Sequence, residues 1–99
     1  MNINTGDYVT LKSIKEVKSL HNNWKTIRDE FSRISCIADG VCYKPEMLNA
    51  MGLPNVYKVV GVKDDSFLLT LSIFHDDAFW FDNRCIKDVY NVTKINKIG

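Results

Sequence analysis

The residues of this chain best suited to chemistry are three cysteines, two histidines and the aspartates that follow one of them. Cys36, Cys42, His75 and Cys85 make a formal tetrahedral set for zinc. Structural zinc sites draw on cysteine pairs about two to four residues apart, because one tight turn must aim both sulfurs at one ion. Cys36 and Cys42 have five residues between them, and His75 and Cys85 stand alone. No metal and no cofactor is therefore expected. An odd cysteine count also suits a disulfide framework poorly, so the reading is three reduced, mostly buried thiols. Nucleophilic catalysis would need a cysteine or serine beside a histidine and an orienting acid. His21 lies next to Leu20 and three residues from Trp24, at the flank of an apolar stripe. His75-Asp76-Asp77 falls in a turn, where such residues are ordinarily solvated. The chain has no G-x-S-x-G, no P-loop and no glycine-rich phosphate loop. It reads as a non-enzyme with no catalytic residues.

A binding surface is better represented. Phe79, Trp80 and Phe81 are consecutive, and strand neighbours point to opposite faces, so a sheet with one wet face cannot bury all three. Phe79 and Phe81 belong together, opposite Trp80. Asp76, Asp77 and Asp82 flank them. Phe79 and Phe81 are then either covered by the helix or left for a partner; if left partly open, the five residues form an aromatic centre with an acidic rim, suited to a basic protein surface and repellent to phosphates.

The elements that must position these residues follow from periodicity. Gly6-Asp7 opens an alternating run with Val9 and Leu11 on one face, which is a strand. Ser13 to Glu16 has capping-box spacing. Ile14, Val17, Leu20, Trp24, Ile27, Phe31 and Ile34 then recur at steps of three and four, one apolar stripe on a helix that is either continuous over about 14–33 or broken at the weak point His21-Asn22-Asn23. Asp39-Gly40 is a turn, and Pro45 starts a short helix over 46–51 that Gly52 ends. Residues 56–62 and 66–74 read as strands joined at Lys63-Asp64-Asp65. His75-Asp76-Asp77 is the next turn and 78–82 the next strand. Residues 84–90 suit a short helical turn, and 91–98 a β-prone tail. The expected core includes Val9, Leu11, Trp24, Phe31, Leu69, Leu71 and Trp80.

Composition narrows the class. Ninety-nine residues with 45% hydrophobic and 25% charged side chains describe one ordinary globular domain spanning residues 1–99. Thirteen basic against twelve acidic residues give a net charge of +1, no basis for a strongly basic nucleic-acid binder. The first twenty residues hold no apolar run of the kind a secretory signal needs. The most apolar segment, 67–74, is far too short to span a membrane. Residues 1–35 carry six basic and four acidic groups, whereas 63–83 carry one basic and five acidic ones.

Three segments carry a resemblance. Gly6-Asp7-Tyr8-Val9-Thr10-Leu11-Lys12-Ser13 is similar to the opening strand of small SH3-like barrel domains encoded by phages. Tyr43, Met47 and Met51-Gly52 ahead of a valine-rich strand resemble the middle of that family, and Trp80-Phe81-Asp82 with Ile86 its closing strand and turn. The likeness touches about half the chain. Leu53-Pro54-Asn55 is an insertion relative to the family pattern, Met51 replaces a cysteine, and the stripe over 14–34 is longer than the family's excursion there. The resemblance implies an α+β fold, a small SH3-like antiparallel β-barrel with an amphipathic helix after the first strand, and Trp80 facing the core. The expected function is a non-enzymatic phage accessory protein that engages a host protein in the host cytoplasm, in host takeover or counter-defence. The alternatives are an SH3-like nucleic-acid-binding module, with Lys12, Lys15, Lys18, Lys25, Arg28 and Arg33 near one helix, or a small-ligand pocket such as a signalling-nucleotide sponge.

Overall fold

The computed structural model describes residues 2–72 and 77–91. Its strands form two antiparallel sheets that do not close on each other, accompanied by two short helices. The fold is α+β.

Strand β1 (Tyr8–Leu11) buries Val9 and Leu11, as its alternation requires. Helix α1 (Ile14–Ser19) starts at a capping box in which the Ser13 hydroxyl accepts from the Glu16 N–H and the Glu16 carboxylate accepts from the Ser13 N–H. The helix lasts six residues and buries Val17. It ends at Leu20, and Asn23 takes a left-handed φ of 56° that a continuing helix cannot contain.

Residues 24–34 are not helical, contrary to the stripe. Strand β2 (Lys25–Arg28) pairs with β3 (Ile34–Ala38), which pairs with β4 (Val41–Tyr43), forming a three-stranded sheet. β-Branched Thr26, Ile27, Ile34 and Ile37 favour this pairing, and Asp29 and Ser32 supply turn chemistry. Steps of three and four across a hairpin can mimic a helical stripe, because residues on both strands fall at those intervals. Phe31 consequently sits in the β2–β3 loop, 72% exposed, instead of in the core. The β3–β4 connection is Asp39-Gly40, both with positive φ, the two-residue turn whose twist matches the strands.

Helix α2 (Pro45–Ala50) buries Met47, Leu48 and Ala50. Gly52 follows at φ 83°, and a Cβ there would stand 3.2 Å from Ser13 Cα. That glycine lets the end of α2 approach the cap of α1. Strands β5 (Tyr57–Lys63), β6 (Ser66–Thr70) and β7 (Ala78–Asp82) form a meander, and β8 (Ile86–Tyr90) returns to pair with β1. The order is β7-β6-β5-β1-β8. Residues 84–90 are therefore mostly strand: a single 3-10 turn at Asn83–Cys85 leads into β8.

One core joins the layers. Val9, Val17, Tyr43, Val59, Leu69, Phe81, Cys85 and Ile86 are almost fully buried, and Trp24, Leu71 and Phe79 pack against them. Phe81 and Phe79 share the inner face as alternation demands, but Trp80 is the outward member, 45% exposed. The expectation that Trp80 faces the core is thus inverted. No helix among the described residues is long and apolar enough to cross a membrane.

Candidate functional site

The expected aromatic and acidic patch is not assembled. Phe81 is wholly inaccessible and Phe79 is half-buried against the core, so neither offers an open aromatic centre. Asp82 caps the 3-10 turn, accepting from the Arg84 N–H at 2.9 Å, and holds the Arg84 guanidinium at 2.8 and 3.2 Å. Burial opposes ionisation of Asp82, but the Arg84 contacts outweigh it and leave its pKa below the usual carboxylate value. Asp77 is exposed. Asp76, like His75, lies outside the described residues.

A polar chain that sequence reasoning missed runs through the interior instead. His21 Nδ1 lies 3.0 Å from Asp39 Oδ2, and His21 Nε2 lies 2.6 Å from the Tyr43 hydroxyl. An ionised carboxylate only accepts, so Nδ1 donates to Asp39, and in the neutral imidazole Nε2 accepts from Tyr43. The Tyr43 oxygen in turn accepts from the Cys85 thiol at 3.5 Å. Trp24 stacks on Tyr43, with ring centroids 5.5 Å apart. Asp39 also accepts from the Asn22 N–H at 3.0 Å and lies 3.4 Å from Arg84 Nη1. The Asn22 N–H, then His21 and Arg84, hold the Asp39 carboxyl below its usual range against the opposing effect of desolvation.

This series of acid, imidazole, phenol and thiol has the residue types of an acid–base relay but not the access. The His21 side chain and Cys85 are both closed to solvent. Burial pushes the Cys85 thiol up to about 11 and the Tyr43 phenol well above its ordinary value of 10.0. A thiol held so far above neutrality supplies almost no thiolate. The network acts as a clamp, fastening the β3–β4 turn and β4 to the turn before β8. The cysteines are free thiols: Cys36 and Cys85 are buried and Cys42 is exposed.

The β2–β3 hairpin is accessible. All four β2 residues are exposed. On its outer face Ile27 and Ile37 stand in the open, 46% and 38% exposed, and Phe31 caps the loop. Asp29 locks that loop. Its Oδ1 accepts from the N–H groups of Phe31 and Arg33 at 2.9 and 2.8 Å, and its Oδ2 from Arg33 Nε at 3.0 Å. The backbone adds Asp29 N to Arg33 O and Ser32 N to Asp29 O, and Arg28 reaches the Ser32 carbonyl. The Arg33 guanidinium lies 5.9 Å from the Phe31 ring centroid. Hydrogen bonds from Arg33 and Phe31 keep the Asp29 carboxyl below its normal pKa. A sequence signal existed: an aspartate two residues before Phe31 and four before Arg33, between β-branched runs, is an Asx-type turn.

Against protein-family models, curated proteins and solved structures alike, the chain matches none.

Proposed function

We propose that this chain is a non-enzymatic binding module that grips a protein partner with the Phe31-tipped hairpin. The observation that carries the reading is Phe31 itself: a large apolar ring 72% exposed on a loop whose conformation is already fixed by Asp29. Exposed aromatics are the side chains that anchor interfaces, and an anchor ordered before contact loses little entropy on binding. Ile27 and Ile37 extend the apolar surface down the arm, with Lys25 on the same face and Arg33 beside Phe31. Arg33 is paired with Asp29 and Arg28 with a backbone carbonyl, which favours a protein surface over a phosphate backbone as the partner.

The five-stranded sheet supports the SH3-like reading of the fold. A three-strand meander flanked by the first strand, with the last strand returning to it after a 3-10 turn, is the strand order such a barrel would use. Residues 12–56, with both helices and the three-stranded sheet, then fill the place of the long first loop. The resemblance to phage-encoded domains extends the proposal to an accessory protein meeting a host protein in the cytoplasm.

The test is capture from host lysate by the parent chain and by Phe31→Ala, read by mass spectrometry. A specific protein retained by the parent should bind the variant more weakly by about 2 kcal/mol, roughly thirtyfold. Equal capture by both chains would move the interface off the hairpin.

A further inference from the structure

The outer face of the five-stranded sheet carries a second feature, independent of the hairpin. Tyr8 is the Cα partner of Lys58, and Lys58 is the Cα partner of Thr70, so the three side chains form one row across β1, β5 and β6. All three point away from the core, as their neighbours Val9, Val59 and Leu69 point into it. Adjacent strands lie ~4.8 Å apart, so the row is about 10 Å long. Beside it opens a cleft of about 720 Å³, bounded by Pro54, Val56 and Leu71.

The lining is mostly apolar, and its charge is one-sided. Lys58 is the single charged residue among those that bound the cleft. Among the described residues no carboxylate lies within ion-pair distance of it. An ammonium with no carboxylate partner among the described residues therefore stands in the row between Tyr8 and Thr70, with an apolar wall alongside. A charge in that position is complementary to an anion, the Thr70 hydroxyl can donate to the same group, and the Tyr8 ring offers a flat face, with Val56 adding apolar surface.

We propose that this cleft binds a small planar anion, a ring bearing one phosphate or carboxylate, with Lys58 and Thr70 on the anionic group and Tyr8 against the ring. The sheet geometry favours a flat ligand: a pleated face with side chains in rows gives a shallow trough, not a closed hole. Phosphate and carboxylate both meet the ammonium, so the two sources are separated by experiment.

The experiment is an NMR titration of ¹⁵N-labelled full chain with four probes. 5′-AMP and indole-3-acetate carry both ring and anion, adenosine carries the ring alone, and inorganic phosphate the anion alone. At least one ring-bearing anion should saturate in the millimolar range or below and shift the amides of Tyr8, Lys58 and Thr70. Adenosine and phosphate should bind about tenfold or more weakly than it. The tighter of the two ring-bearing anions identifies the source. Lys58→Ala should weaken that ligand about tenfold or more, the loss expected for a contact to a charged group, and Lys58→Arg should retain it. Lys58 is a solvent-facing strand residue, and a thermal melt checks that the variants fold; Lys58→Gln serves if the alanine variant does not. The proposal is overturned if neither ring-bearing anion saturates at these residues in the millimolar range. It is equally overturned if phosphate alone binds as tightly, or if removing the Lys58 charge leaves affinity unchanged.

Discussion

The Tyr43 hydroxyl stands 2.6 Å from His21 Nε2, and this buried contact ties the segment after α1 to the last strand of the small sheet. The same oxygen accepts from Cys85, so one phenol joins three parts of the chain. Its stacking on Trp24 adds a flat apolar contact at 5.5 Å. The clamp holds the three-stranded sheet, and with it the Phe31 arm, at a set position against the five-stranded sheet.

Replacing Tyr43 by Phe should expose the value of that oxygen. The ring and its packing remain, but His21 Nε2 loses its donor and the Cys85 thiol its acceptor. Leaving buried polar groups without partners costs ~1–3 kcal/mol, so urea unfolding should show a loss of that size. A variant as stable as the parent would mean that the polar chain contributes nothing net.

Acid should loosen the same clamp. The folded-state pKa of Asp39 lies below its ordinary 3.8, chiefly through the Asn22 N–H and then through His21 and Arg84. A carboxyl depressed in the folded state stabilises the fold above the unfolded pKa, and that contribution disappears as pH falls through the folded value. Asp29 and Glu16 are depressed in the same direction by their own backbone N–H partners. Stability from these groups should be level from neutrality to about pH 5 and drop below about pH 4. Asp39→Asn should lower stability at pH 7 and flatten the acid limb, measured by denaturant melts over a pH series. Parallel pH curves for the two chains would remove Asp39 from the account.

The thiols should separate by exposure. Cys42 is open to solvent, whereas Cys36 and Cys85 are buried and the Cys85 thiol is pushed up to about 11. Iodoacetamide at neutral pH should label Cys42 in the native protein and all three only after unfolding, as read by peptide mass spectrometry. Native labelling of Cys85 ahead of Cys42 would show that the clamp opens readily.

The aromatic residues should divide in the opposite sense. Phe81→Ala deletes a wholly buried ring and should cost ~3–5 kcal/mol, with Leu69→Ala at ~2–5 kcal/mol. Phe31→Ala removes a mostly solvated ring and should stay within ~0.5 kcal/mol of the parent. Comparable losses from Phe31 and Phe81 would mean that the hairpin folds back onto the core in solution.

Much of the framework was legible because its chemistry is local. The Ser13–Glu16 capping box, the Asp39-Gly40 turn and the Pro45 and Gly52 limits of α2 each depend on residues within a few positions of one another. The alternation of Val9 and Leu11 needed only the pleat of a strand. These features appear in the structure where their residues place them.

The remainder depended on distant partners. Trp24, Ile27, Phe31 and Ile34 satisfy a helical period and a hairpin alike, and strand pairing with β4 and stacking of Trp24 on Tyr43 decide between them. Alternation correctly separates Trp80 from Phe79 and Phe81, but period two does not say which face is inside. That choice belongs to the elements that pack over Phe81, which come from elsewhere in the chain. The His21–Tyr43 and Tyr43–Cys85 contacts join residues 22 and 42 positions apart, and no spacing rule brings them together. Local chemistry alone sets the Ser13–Glu16 cap, the Asp39-Gly40 turn, the limits of α2 and the alternation of β1 and β7, all through interactions within a few residues. Which aromatic is buried and which is exposed depends on distant elements of the fold, because burial is a property of what covers a side chain and not of the side chain alone.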